Sequence, residues 1–276
     1  MTLITRQLSK PGGPAIAYRE AGRAHVECSE TVVLLHGVGM QSAAWTPQID
    51  VLSRTFHVIA LDLPGHGESA PLSRGSDLTV FVDWLGSARD AREQERVSLV
   101  GHSMGAVIAS GCSIARPDRV ARVALLNGVF QRDAAARKAV IARAFQIAEG
   151  AFDVETPLAR WFTDDPIDQK ARDQVEYWLR TVDSGGYETA YRAFAQGDQI
   201  YAERFGEIAC PLLAMTGEMD PNSTPAMAQA MARAAQDGEA NVVAGHRHML
   251  NLTAPDIVNG TLMAWLTRTT SKELIE

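Results

Sequence analysis

A chain of 276 residues, 46% of them hydrophobic, has the size and apolar content of one large α/β domain with an insertion. Its formal net charge of −7 argues against a nucleic-acid-binding surface, and no run approaches the ~18 apolar residues of a membrane span. Cys28, Cys112 and Cys210 are an odd set without metal-ligand spacing, and the first residues (MTLITRQLSKPGGP) show no apolar leader. The expectation is therefore free thiols in a cytoplasmic protein.

Residues 2–8 and 15–20 flank Pro11-Gly12-Gly13-Pro14 and predict two strands around a tight turn. Residues 23–30 read as a polar loop. The run TVVLL at 31–35 predicts a strand covered on both faces. It ends in His36-Gly37-Val38-Gly39, where glycine permits a sharp turn that exposes backbone N–H groups. Ser42 is expected to cap a short helix containing Trp45. Residues 56–61 predict another buried strand, ending in the turn-rich run Asp62-Leu63-Pro64-Gly65-His66-Gly67-Glu68-Ser69. Leu78, Phe81, Val82 and Leu85 recur at helical spacing and predict a helix over 77–94, with Asp77 as its cap.

The segment 97–111 (VSLVGHSMGAVIASG) carries the chemistry. A short β-branched run meets Gly101-His102-Ser103-Met104-Gly105, and a small-residue run follows. This reads as strand, tight turn and buried helix, ended by Pro117. Two residues without Cβ let strand and helix lie close, so the serine between them is lifted to the strand end as in a nucleophile elbow. Residues 120–126 predict the next strand, with Asn127-Gly128 at its end. From 129 to 208 no buried strand is evident. Helix-like segments at 134–147, 168–182 and 187–196 predict a helical cap inserted between two parts of one core domain, 1–128 and 209–276. Alternation then resumes with a strand at 211–215, Gly217-Glu218-Met219-Asp220, and a helix opened by Thr224-Pro225. A strand at 241–244 follows, then Gly245-His246-Arg247-His248 and a closing helix after Pro255. Alternating strands and helices predict an α/β fold with a mostly parallel sheet covered by helices, and ligands bind such sheets at the strand carboxyl ends.

A serine hydroxyl needs a base within hydrogen-bond reach, and the base needs an orienting acid. Among seven histidines, His25 lies in a polar loop and His57 in or beside a strand. His36 and His66 sit in glycine-rich turns, and His102 should point away from its neighbour Ser103. His246 and His248 remain. His248 is favoured because a loop of suitable length leads from it to the closing helix. Asp220, past the penultimate strand, is the acid, with Glu218 as alternative; taken alone, Asp220 also reads as a turn residue capping the helix near Ser223. The expected chemistry is acyl transfer onto Ser103, with the Met104 N–H as one oxyanion donor and the Val38 N–H as a second, each worth ~3 kcal/mol.

These motifs resemble the α/β-hydrolase superfamily over essentially the whole chain. His36 to Gly39 is similar to its oxyanion loop, Asp62 to Ser69 to its D-x-P-G-H-G-x-S loop and Gly217 to Asp220 to its G-x-x-D acid loop. His248 to Pro255 is similar to its H-x-x-N-x-x-x-P approach to the last helix, with Thr253 where a glutamate is common. The resemblance implies an α/β-hydrolase fold. It also implies a Ser103-Asp220-His248 triad and a small-molecule ester or lactone as partner, without cofactor, metal, nucleic acid or membrane. Arg160-Trp161-Phe162, Gly186-Tyr187-Glu188 and Asp198 look like the enol-lactone hydrolases of aromatic catabolism. That likeness implies Arg160 as a partner for a substrate carboxylate and Trp161 as a wall of the acyl pocket. Read alone, Arg160 is a solvated charge and Trp161 a packing residue. Carbon–carbon bond hydrolases of meta-cleavage pathways also keep a serine, but usually carry an aromatic soon after the histidine, where Met249 and Leu250 stand. Cofactor-free haloperoxidase-like esterases share the triad. Dehalogenases and epoxide hydrolases use an aspartate in place of Ser103. A non-catalytic binding protein of the same fold is the alternative from a different class; covalent labelling of Ser103 distinguishes it.

Overall fold

A computed structural model describes residues 4–8, 14–22, 30–90, 96–150 and 153–269. Eight strands form one sheet: β1 (Ile4–Leu8), β2 (Ile16–Ala21), β3 (Thr31–Leu35), β4 (His57–Leu61), β5 (Val97–His102), β6 (Val120–Leu126), β7 (Leu212–Gly217) and β8 (Gly238–Val243), in the order β1-β2-β4-β3-β5-β6-β7-β8. The first two strands run antiparallel to each other, and β2 runs antiparallel to β4; all other neighbours are parallel. The predicted N-terminal strand pair is present, while Pro11 to Gly13, His25 and Cys28 lie outside the described residues.

Burial on both faces explains the unbroken apolar strands. Val33, Leu35, Ile59 and Leu99 pack on one face with Phe81 and Leu85 of α2 (Leu78–Asp90), Ile108 of α3 (Met104–Ala115) and Met231 of α8 (Pro225–Ala234). Val32, Leu34, Val58 and Val100 pack on the other with Ile49 and Leu52 of α1 (Thr46–Leu52) and with Leu262 and Trp265 of α10 (Pro255–Leu266). The alternation along each strand is the side-chain period of two.

Among the described residues, four α-helices lie between β6 and β7, α4 (Ala134–Ala148), α5 (Glu155–Trp161), α6 (Pro166–Thr181) and α7 (Ser184–Gly197), followed by a 3-10 helix (Ala202–Glu207). Three open on aspartate caps: Asp133 accepts from the Ala136 N–H, Asp165 from Ile167 and Asp183 from Gly186. The seven-residue α5 was not foreseen from the sequence. The start of α7 sits on the core through backbone: a Cβ on Gly186 would lie 2.5 Å from Gly65 Cα.

Asp77 does cap α2 through the Thr79 and Val80 N–H groups, but the described helix ends at Asp90, and 91–95 lie outside the described residues. Ser42 is no side-chain cap. It is the first residue of a 3-10 turn (Ser42–Trp45), and its own N–H donates to Asp62 Oδ1 at 2.6 Å, so a carboxylate from the next strand end caps that turn. The loop after His248 contains one short helix, α9 (Leu250–Thr253). Cys112 and Cys210 are buried thiols with no disulfide, and no helix among the described residues is long and apolar enough to cross a membrane.

Candidate active site

Ser103 stands between β5 and α3 with φ 52° and ψ −113°, a strained conformation for a residue with a side chain. Its surroundings enforce it. A Cβ on Gly101 would lie 2.2 Å from Gly105 O, and one on Gly105 would lie 2.1 Å from Leu35 O. Strand, turn and helix therefore meet backbone to backbone. The Ser103 N–H donates to Leu126 O at 2.9 Å, and its carbonyl accepts from Ala106 and Val107.

The side chains foreseen at three strand ends converge. Ser103 Oγ is 3.2 Å from His248 Nε2, and His248 Nδ1 is 2.8 Å from Asp220 Oδ2; all three are buried. Acceptance at Asp220 fixes the tautomer: Nδ1 carries the proton, leaving the Nε2 lone pair for the serine hydroxyl. Burial alone would raise the Asp220 carboxyl. His248, the Asn127 amide and the Asn222 N–H together outweigh that and hold it below its usual value. Asp220 makes two sets of contacts, one within its own turn and one toward His248, while the helix after Ser223 is capped by Thr224. Oδ1 accepts from the Asn222 and Ser223 N–H groups, capping the turn, while Oδ2 takes His248 and Asn127 Nδ2, the latter at 2.8 Å.

The other expected histidines do what turns require. His36 Nε2 accepts from the Leu63 N–H and His66 Nε2 from the Gly39 N–H, both at 2.9 Å, so the two rings stitch the 36–39 and 62–69 loops together. His57 bonds Glu20 and Thr31. His246 faces Thr253, and Glu218 is exposed and accepts from the Gly245 N–H. Neither alternative residue takes part in the Ser103 relay.

Sequence reasoning missed one support, and of a second, Asn127, it gave only the place at a strand end. His102 Nε2–H donates to the backbone carbonyl of His248 at 2.8 Å. Burial, then the neighbouring His248, pushes His102 down to about 3. It therefore stays neutral and props the histidine loop without adding charge. Asn127, at φ 47°, sends its amide to both Asp220 and Arg247 O. Partners on the main chain leave no sequence signal for His102. For Asn127, its place at a strand end was the available clue.

A cavity of about 440 Å³ opens over Ser103 and His248. Val38 lines it, as do Arg132 from the loop before α4 and residues of α4, α5 and α7, including Arg143, Arg160, Trp161 and Tyr191. Among the described residues, neither the Val38 nor the Met104 N–H donates to a protein acceptor. Met104 opens α3, where helix N–H groups have no intrahelical partner. Trp161 stacks on the His248 ring, centroids 5.5 Å apart and planes at 28°. The three arginines differ. Arg132 is buried and paired with Asp198 at 2.8 Å, and Arg143 pairs with Asp153 at 3.1 Å. Arg160 is exposed at the cavity and has no ion-pair partner among the described residues.

Comparison with known proteins speaks to the family and the fold. The model of the alpha/beta hydrolase family matches residues 32–261. The (E)-2-((N-methylformamido)methylene)succinate hydrolase of Acinetobacter baylyi is 47% identical over 267 residues, covering 97% of this chain and 100% of that protein. The enol-lactonase of Burkholderia xenovorans superposes with a TM-score of 0.84 at 24% identity, over 95% of this chain and 100% of that one. A thermophilic esterase from Thermogutta terrifontis gives 0.83 at 20% identity, over 96% and 98%. At these identities the two structures speak for the fold alone.

Proposed function

Because this chain belongs to the alpha/beta hydrolase family, we propose that it hydrolyses a small, carboxylate-bearing acyl compound through an acyl-enzyme on Ser103. The observation that carries this reading is the buried relay from Ser103 Oγ through His248 to Asp220, beneath a cavity that holds Arg160, which has no ion-pair partner among the described residues. His248 takes the hydroxyl proton as Ser103 attacks the acyl carbon. The tetrahedral oxyanion is met by the Val38 and Met104 N–H groups, each worth ~3 kcal/mol. His248 returns the proton to the leaving atom and then activates water to release the acid, while Asp220 stabilises the imidazolium. The helices of 129–208 act as the cap. Within them Arg160 takes the substrate carboxylate, and Trp161 walls the acyl pocket.

The 47% identical relative is named for a substrate with a succinate, hence two carboxylates, and an N-formyl group on an enamine nitrogen. That supports an amide-type acyl carbon in place of the ester or lactone bond expected from sequence. Formyl transfer to Ser103 would then expel an enamine nitrogen, which His248 protonates. A carboxylated enol-lactone is the second reading, favoured by Arg160-Trp161-Phe162 at the cavity; its leaving atom is an enolate oxygen.

The test is a turnover panel. It sets (E)-2-((N-methylformamido)methylene)succinate and a carboxylated enol-lactone beside p-nitrophenyl acetate. We expect preference for a carboxylated substrate, and loss of at least about 10⁴-fold in Ser103→Ala with an unchanged thermal melt. Residual turnover in that variant would move the nucleophile elsewhere. Preference for the neutral ester would remove the carboxylate. Failure of Ser103 to react with a fluorophosphonate would favour a binding protein.

A further inference from the structure

Arg247 precedes His248, yet its side chain belongs to another element. Its Nη1 donates to Ala159 O at 2.9 Å and to Phe162 O at 2.7 Å. These carbonyls stand at the C-terminal end of α5, where the last acceptors of a helix lack intrahelical donors and carry the negative end of its dipole. Among the described residues Arg247 has no carboxylate partner, so its guanidinium is matched to that helix end.

A helix of seven residues has little stability of its own. Contacts at both ends hold α5. At its start, Glu155 accepts from Arg172 at 2.9 Å and Arg180 at 3.2 Å, both on α6. At its end stands Arg247. Between the two, α5 carries the cavity residues Arg160 and Trp161, with Trp161 stacked on His248. The backbone of Arg247 joins the acid as well, since its carbonyl accepts from Asn127 Nδ2, the amide that also bonds Asp220.

We propose that Arg247 is a positioning residue that latches α5 to the histidine loop, so that the arginine selecting the substrate and the base acting on it keep one geometry. This rests on the carboxylate reading of Arg160 given above. Displacing a positioning group by about an ångström can cost up to 10²-fold in rate, and for a carboxylated substrate that loss falls on capture as well as chemistry.

The experiment compares Arg247→Met, which keeps the stem and removes the donors, with Arg247→Lys, which keeps the charge. Each is assayed on the succinate-bearing enamide and on p-nitrophenyl acetate. The emission of Trp161 is read as the difference made by Trp161→Phe in each background. In Arg247→Met we expect the kcat/KM ratio of carboxylated over neutral substrate to fall about tenfold, mainly through KM, with partial recovery in Arg247→Lys. The Trp161 emission should move to the red and become more open to acrylamide. Unchanged Trp161 emission in Arg247→Met overturns the latch whatever the rates. Proportional losses on both substrates also overturn it, since they mark a merely structural role. If the parent enzyme ignores the carboxylate, the substrate reading fails, and Trp161 emission alone decides the latch.

Discussion

Asp220 divides two duties between two oxygens. Oδ1 holds the Asn222 and Ser223 N–H groups, and Oδ2 receives His248 and Asn127. Asp220→Asn can keep the first duty, because an amide oxygen still accepts. It loses the second, because an NH₂ facing Nδ1 favours the wrong imidazole tautomer. We therefore expect kcat to fall by about 10⁴ with little change in the melting temperature; steady-state kinetics beside a thermal melt checks both. Ser103, His248 and Asp220 were legible in the sequence because each bears a reactive group at a strand end. His102 and Arg247 were not, because each acts on backbone carbonyls, and a carbonyl looks the same in every residue. Ser42 misled for a related reason. Serine before a helix suggests a cap, but the Asp62 carboxylate arrives from twenty residues away and caps the Ser42 N–H directly.

Among the elements, the β5–α3 junction was legible to the residue, since glycine at 101 and 105 has no substitute. A methyl on Gly105 would meet both Leu35 O and His36 O inside 3 Å. We expect Gly105→Ala to lose at least about 2 kcal/mol in a urea melt, because backbone on both sides cannot yield as a side chain could. Gly260, exposed on α10 with nothing within 4 Å of an added Cβ, is the control: Gly260→Ala should gain about 0.5–1 kcal/mol. The helix α5 stayed illegible because its seven residues show too little periodicity. Long-range contacts with Arg172, Arg180 and Arg247 hold it instead.

For the whole molecule, three buried histidines tie stability to pH. Burial lowers His36 and His66, and brings His102 to about 3. The unfolded chain titrates them near 6.5, so below that pH it binds protons that the fold refuses. Stability therefore rises with pH in this window and is lost as pH falls. The slope reaches about 1.4 kcal/mol per pH unit for each such histidine, until the folded value is reached. Asp220, held low, adds its own loss only further into the acid range. Urea midpoints should change little above about pH 7 and fall from about pH 6.5 to 4.5, and His102→Gln should flatten the slope. A slope unaltered in that variant would show that His102 does not contribute to it.

The strands β6 and β7 are neighbours in the sheet, although about 80 residues of chain separate them. Both ends of that excursion are fixed by the ladder, so its length barely enters the free energy. Stretching a connection from about 20 to about 80 residues adds only ~1.2 kcal/mol of closure entropy. The excursion is thus free to diversify while the sheet keeps its register. A graft exchanging 129–208 for a relative's segment should retain hydrolysis and adopt the donor's selectivity, provided a helix inside the guest presents its last carbonyls to Arg247 as α5 does.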